Sequence, residues 1–89
     1  MSFEWDTHKR LTNLRKHSID FADAVGVFDD PFVLTQEDPD SESEPRYVSL
    51  GMDFKSRVLV VIWTDRDENI RLISARPATK RELSYYRGG

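Results

Sequence analysis

The run Val-Leu-Val-Val-Ile-Trp at 58–63 is the longest apolar stretch of the chain, and it constrains the fold more than any other feature. Four of its six residues are β-branched, which favours an extended backbone over a helix. A strand without polar alternation is buried on both faces, so 58–64 belongs at the centre of a sheet. Asp65-Arg66-Asp67-Glu68-Asn69 follows as a hairpin turn, and Ile70 to Arg76 as the returning strand. Arg46 to Leu50, closed by Gly51, and Phe32 to Thr35 supply two more strands. Strict alternation along the last strand places Leu72, Ser74 and Arg76 on one face and Arg71, Ile73 and Ala75 on the other.

Helices bracket this sheet. Asp6 or Thr7 caps a segment through about Lys16, with Leu11 and Leu14 inward and Lys9, Arg10, Arg15 and Lys16 outward or flanking. Asp20 caps a second, in which Phe21, Ala24, Val25 and Phe28 follow the i, i+3, i+4, i+7 spacing of an amphipathic helix until Asp29-Asp30-Pro31 stops it. Thr79 and Glu82 form T-x-x-E, a capping box that starts a last helix near Lys80. The expected class is α+β: two N-terminal helices, a four-stranded mainly antiparallel sheet with helices on one face, and a C-terminal helix. At 89 residues this is one domain, 1–89. Such a chain buries only about 60–65% of its unfolded surface, so a partner matters to it.

Between the second helix and the central strands lies Gln36 to Pro45, QEDPDSESEP, with two prolines, five carboxylates and no apolar residue. It can bury nothing and is expected to be a mobile acidic loop. Charge is unevenly divided. Residues 1–54 hold five Lys and Arg against twelve Asp and Glu, a net of −7, while 55–89 hold eight against four, a net of +4. The overall −3 hides a basic C-terminal part suited to a polyanion. There is no cysteine, which excludes disulfides and thiolate metal sites, and no apolar run near the roughly 18 residues of a membrane span. The start MSFEWDTHKR has no apolar signal region, so a cytoplasmic location is expected.

The chemistry concentrates at ISARPATKRELSYYR, 73–87. Arg76 ends a strand and is followed within five residues by Lys80 and Arg81 at a helix start, a phosphate-sized basic group. Pairing of Arg76 with a carboxylate is an equal alternative. Glu82 has the position of a general base, yet the capping box accounts for it without chemistry. Tyr85 and Tyr86 diverge by about 100° on the helix, so one packs while the other is free to stack on a base. His8 and His17 lack metal-ligand spacing, and no metal or cofactor site is expected.

These residues also carry a resemblance. F-E-W-D at 3–6, Lys9, Asn13, Lys16-His17, Phe21, Ala24, F-D-D-P at 28–31, Arg46, Gly51 and I-S-A-R-P-A-T-K-R-E-x-x-x-Y at 73–86 make the chain similar to the BrnT family, toxins of the BrnT–BrnA type II toxin–antitoxin systems. The resemblance implies a RelE-like fold and a metal-independent endoribonuclease that slows translation and growth. It also implies a BrnA-like antitoxin as partner, with operator DNA reached only through that antitoxin. Arg76, Lys80 and Arg81 are the residues carried over, with Arg57 and Arg66 beside them, and Arg71 and Tyr85 are further expected RNA contacts. The proton carrier stays open among Tyr86, Glu82 and His17. The competing expectation is a non-catalytic module that only holds its partner in an operon-repressing complex.

Overall fold

The computed structural model describes residues 2–88. Its elements are β1 (Phe3–Trp5), α1 (Thr7–His17), α2 (Phe21–Ala24) running into a 3-10 turn (Val25–Asp29), β2 (Leu34–Glu37), β3 (Tyr47–Met52), β4 (Val58–Arg66), β5 (Asn69–Pro77) and α3 (Lys80–Tyr86). The five strands lie in the order β1-β5-β4-β3-β2, so the apolar run of β4 takes the central place its composition requires. The mixed sheet corrects the four-stranded expectation. Phe3-Glu4-Trp5 forms an edge strand parallel to β5, pairing Phe3 with Ile70 and Trp5 with Leu72. Three residues carry too little pattern to announce a strand, and their partner lies 67 positions away.

Pairing across β2, β3, β4 and β5 is antiparallel. The β4–β5 hairpin turns on Asp67 and Glu68 alone, both at positive φ (51° and 69°), as a two-residue turn of type I′ requires. A bulge breaks the β5 alternation: Ile62 faces Ser74, but its neighbour Trp63 faces Leu72, leaving Ile73 without an opposite residue. Ala75 therefore shares the core face with Leu72 and Ile70, contrary to strict alternation, while Ser74 and Arg76 stay together on the other face.

The core lies on one side of the sheet. Leu59, Val61, Ile70, Leu72 and Ala75 meet Ile19, Phe21, Ala24 and Val27 there. Partly buried aromatics extend it, Trp63 edge-on to Phe28 at 5.4 Å and Phe28 against Phe3 at 5.3 Å. Gly51 does not end β3, which runs to Met52. A side chain at Gly51 would stand 2.9 Å from Val27, so the glycine lets the 3-10 turn lie close on the strand. β2 begins at Leu34 and runs to Glu37, taking up the first two residues of the acidic segment.

The inward face of α1 is polar, which overturns the placement of Leu11 and Leu14. They are 51% and 41% exposed, whereas Asn13 is buried. Its amide donates to Ala75 O (2.8 Å) and Ile19 O (3.0 Å), and its Oδ1 accepts from Ala75 N (3.1 Å). β1 pairs with β5 only as far as Leu72, so Asn13 stands in for a missing strand and satisfies the exposed edge beyond it. Arg10, half-exposed on the flank of α1, forms a two-pronged bond to Asp20 at 2.9 Å. The Asp6 cap (Oδ1 to Lys9 N, 3.0 Å) and the Asp20 cap (Oδ1 to Ala22 N, 3.0 Å) are as expected.

Candidate active site

The second face of the sheet carries Arg76 and meets the C-terminal helix. Register puts Leu34, Leu50, Val60 and Arg76 in one row, opposite to the core row of Ser49, Val61 and Ala75. The helices are not all on one face, because Glu82 and Tyr85 of α3 line a groove of about 360 Å³ over this row, with Leu34, Gln36, Val48 and Leu50. Its floor is apolar, and Arg76 reaches it only through Glu82, the lining carboxylate that it binds.

α3 is placed by its own sequence. Thr79 accepts from Glu82 N (3.2 Å), and Glu82 Oε1 accepts from Thr79 N (2.8 Å), so the capping box is complete. The same carboxylate receives Arg76 through two parallel bonds, Nη1 to Oε1 at 2.8 Å and Nη2 to Oε2 at 2.9 Å. Of the two alternatives for Arg76, the structure holds the pairing with a carboxylate, Glu82, which itself lines the groove. The Arg76 hydrogen bonds are the main cause that holds the Glu82 carboxyl down at about 2. Tyr86 donates to Asp30 Oδ2 at 2.5 Å, a bond that pushes its phenol up to about 12. Asp30 also accepts from Met52 N and Phe32 N. Burial pushes its carboxyl up, but these three donors together hold it below the ordinary value. Tyr86 therefore ties α3 to the end of the 3-10 turn, while Tyr85 is 69% exposed at the groove. Tyr86 is thus the half-buried tyrosine and Tyr85 the exposed one.

Lys80 and Arg81 are exposed in the first turn of α3. Arg57 is near the same end of the sheet, in the β3–β4 turn, but is bound by the buried Asp53 carboxylate at 2.7 and 3.0 Å. Arg66 and Arg71 are not brought to the groove rim. Arg66 lies at the hairpin end, paired with Glu44 at 3.0 Å. Arg71 stands five residues, about 15 Å, before Arg76 along β5 and pairs with Glu4 of β1 at 2.8 Å. His17 lines a different cleft, beside α1. The apolar floor went unnoticed in the sequence, because Leu34, Leu50 and Val60 come from three strands whose register only the pairing fixes.

The fold defines an α+β domain with a mixed five-stranded sheet and an open, apolar-floored groove beneath its C-terminal helix. Residues 5–82 match the family of BrnT, the ribonuclease toxin of type II toxin–antitoxin systems, and the chain belongs to that family. Among solved structures it is similar to the Brucella abortus ribonuclease toxin BrnT, with a TM-score of 0.66 and 28% identity over 90% of this chain and 99% of that one. No curated protein matches it significantly. A type II family implies an antitoxin partner. No helix among the described residues is long and apolar enough to cross a membrane.

Proposed function

We propose that this chain is the toxin of a type II pair, a RelE-like, metal-independent endoribonuclease that cuts RNA at the groove beneath α3 and slows translation. A BrnA-like antitoxin would neutralise it and carry the complex to operator DNA. The observation that supports this most is Arg76, a two-pronged anion ligand held by Glu82, the carboxylate that lines a groove sized for a nucleotide, in a chain of the BrnT family. RNA brings its own nucleophile, so the protein has to orient the strand, accept a proton and stabilise charge. A phosphate entering the groove takes Arg76 from Glu82. The freed carboxylate loses its most acidifying contact and becomes a stronger base beside the 2′-hydroxyl. The 2′-oxygen then attacks phosphorus, its proton passing to Glu82, and the 5′-oxygen leaves with a proton from solvent. Lys80 and Arg81 hold flanking phosphates, Tyr85 stacks on a base, and Tyr86 keeps α3 in position.

One observation favours the rival reading of a non-catalytic partner-binding module: Arg76 is already filled by a carboxylate. Induction of the chain alone, beside Arg76→Ala at matched folded yield, separates the two. Growth arrest with fragmented RNA, relieved by the substitution, is the expected result. Intact RNA and normal growth with the parent chain would leave only the binding module.

A further inference from the structure

A second cleft, of about 320 Å³, opens between α1 and the bulged part of β5, lined by His8, Lys9, Thr12, Lys16, His17 and Ser74, with Asn13 and Ile73 behind them. No carboxylate is among its lining residues, although the chain carries 16 Asp and Glu against 13 Lys and Arg. Lys9 and Lys16 make no ion pair among the described residues, as is also true of Arg15, Arg46, Lys80, Arg81 and Arg87, but only Lys9 and Lys16 line a cleft together. In an acidic protein a cleft with two unpaired ammonium groups, two imidazoles and two hydroxyls suits an anion with several oxygens.

Helix geometry says what shape that anion has. Lys9 and Lys16 are seven residues apart, so they lie within about 20° of each other around α1 and about 10.5 Å apart along it. Two long side chains rooted that far apart on one face can each meet a separate phosphate of one strand. His8 and His17, nine residues apart, are separated by about 13.5 Å along the axis, too far to serve as acid and base on one phosphodiester. The cleft is built to hold a backbone rather than to cut it. It also lies beside the groove: Ser74 and Arg76 project from the same face of β5, two residues or about 6.6 Å apart. The bulge at Ile73 sets this shared face opposite the core, since it lets Leu72 and Ala75 lie on the core face together.

We propose that the α1–β5 cleft binds the phosphodiester backbone of single-stranded RNA next to the nucleotide held by Arg76, with Lys9 and Lys16 each contacting one phosphate. This rests on the ribonuclease reading above and adds to it the direction in which the strand leaves the groove. The test uses a short fluorescent RNA whose 2′-oxygens are methylated, so that it binds without being cut, and a matching unmodified RNA to record cleavage. Binding is followed against salt for the parent, for Lys9→Gln/Lys16→Gln, and for Arg15→Gln/Lys55→Gln, which removes as many charges outside the cleft. All three are checked for an unchanged thermal midpoint, as expected for exposed side chains. Loss of two phosphate contacts lowers the slope of log affinity against log salt by about 1.4, because each contact on a single strand contributes about 0.7. The control pair should keep the parent slope. A parent slope in Lys9→Gln/Lys16→Gln, with parent binding and cleavage intact, overturns the cleft and leaves the ribonuclease standing. So does an equal fall in the control, which would mean diffuse charge alone. A parent that neither binds nor cuts RNA overturns both.

Discussion

Glu82 joins two functions in one carboxylate, closing the first turn of α3 and holding Arg76. With the folded value near 2 and the ordinary value 4.5, protonation favours the unfolded chain. The stabilisation is complete above pH 4.5 and is lost as pH falls towards 2. Asp20, held at about 2 chiefly by its bonds from Arg10, adds to the loss over the same window. Urea unfolding at stepped pH should show stability declining below about pH 4.5, and Glu82→Gln should flatten that decline, Asp20 supplying the remainder. Glutamine still completes a capping box, so the variant folds. Its RNA cleavage should drop by about 10²–10⁴ while RNA binding is retained, the split expected for a lost proton acceptor. Cleavage at the parent rate would remove Glu82 from the chemistry and leave it a helix cap. Asn13 is a structural counterpart. Asn13→Ala strands the Ala75 N–H and C=O and should cost about 2–4 kcal/mol, whereas Leu11→Gln, at an exposed site, should stay within about 0.5 kcal/mol. Urea midpoints of the two variants test this reversal of the usual apolar-inside rule.

At the scale of elements, what was legible in the sequence was what is decided locally. Asp6, Asp20 and Thr79 cap their helices because an acceptor two or three residues before a free amide needs no distant partner. The β-branched run gave the central strand for the same reason. The inward face of α1 was hidden because its contact is with Ala75, 62 residues away, and is made by an amide rather than by leucines. The bulge at Ile73 was hidden because a one-residue insertion leaves no mark on composition, yet it decides which face Arg76 shares with Ser74. The Arg76, Lys80, Arg81 and Glu82 cluster was visible as adjacent sequence, but its apolar floor was not. The tie between α3 and the rest of the molecule is also long-range, Tyr86 to Asp30 across 56 residues. The phenol is raised from 10.0 to about 12, so the bond contributes fully below pH 10 and is lost as pH rises towards 12. Tyr86→Phe should leave the sheet unchanged while amide exchange in α3 accelerates, which hydrogen-exchange mass spectrometry can read.

For the whole molecule the question is how an acidic chain holds RNA. The sheet separates the charges along its strands. Arg76 shares a row with Leu34, three strands away, and the acidic loop begins at Asp38, four residues further along β2. Strand spacing and rise put Asp38 about 20 Å from Arg76. Glu44 of that loop is turned to Arg66 at the hairpin end. A distance of about 20 Å exceeds the screening length of about 8 Å at 0.15 M salt but not the 30 Å or so at 0.01 M. The carboxylates of the loop should therefore act on RNA binding only when salt is low. Replacing Asp38, Asp40, Glu42 and Glu44 by their amides should leave affinity within about twofold of the parent at 0.15 M and strengthen it clearly at 0.01 M. Measured by anisotropy with a non-cleavable RNA, equal strengthening at both salts would mean that the strand passes close to the loop. The path from the Arg76 groove would then run towards the hairpin rather than across Ser74 to α1.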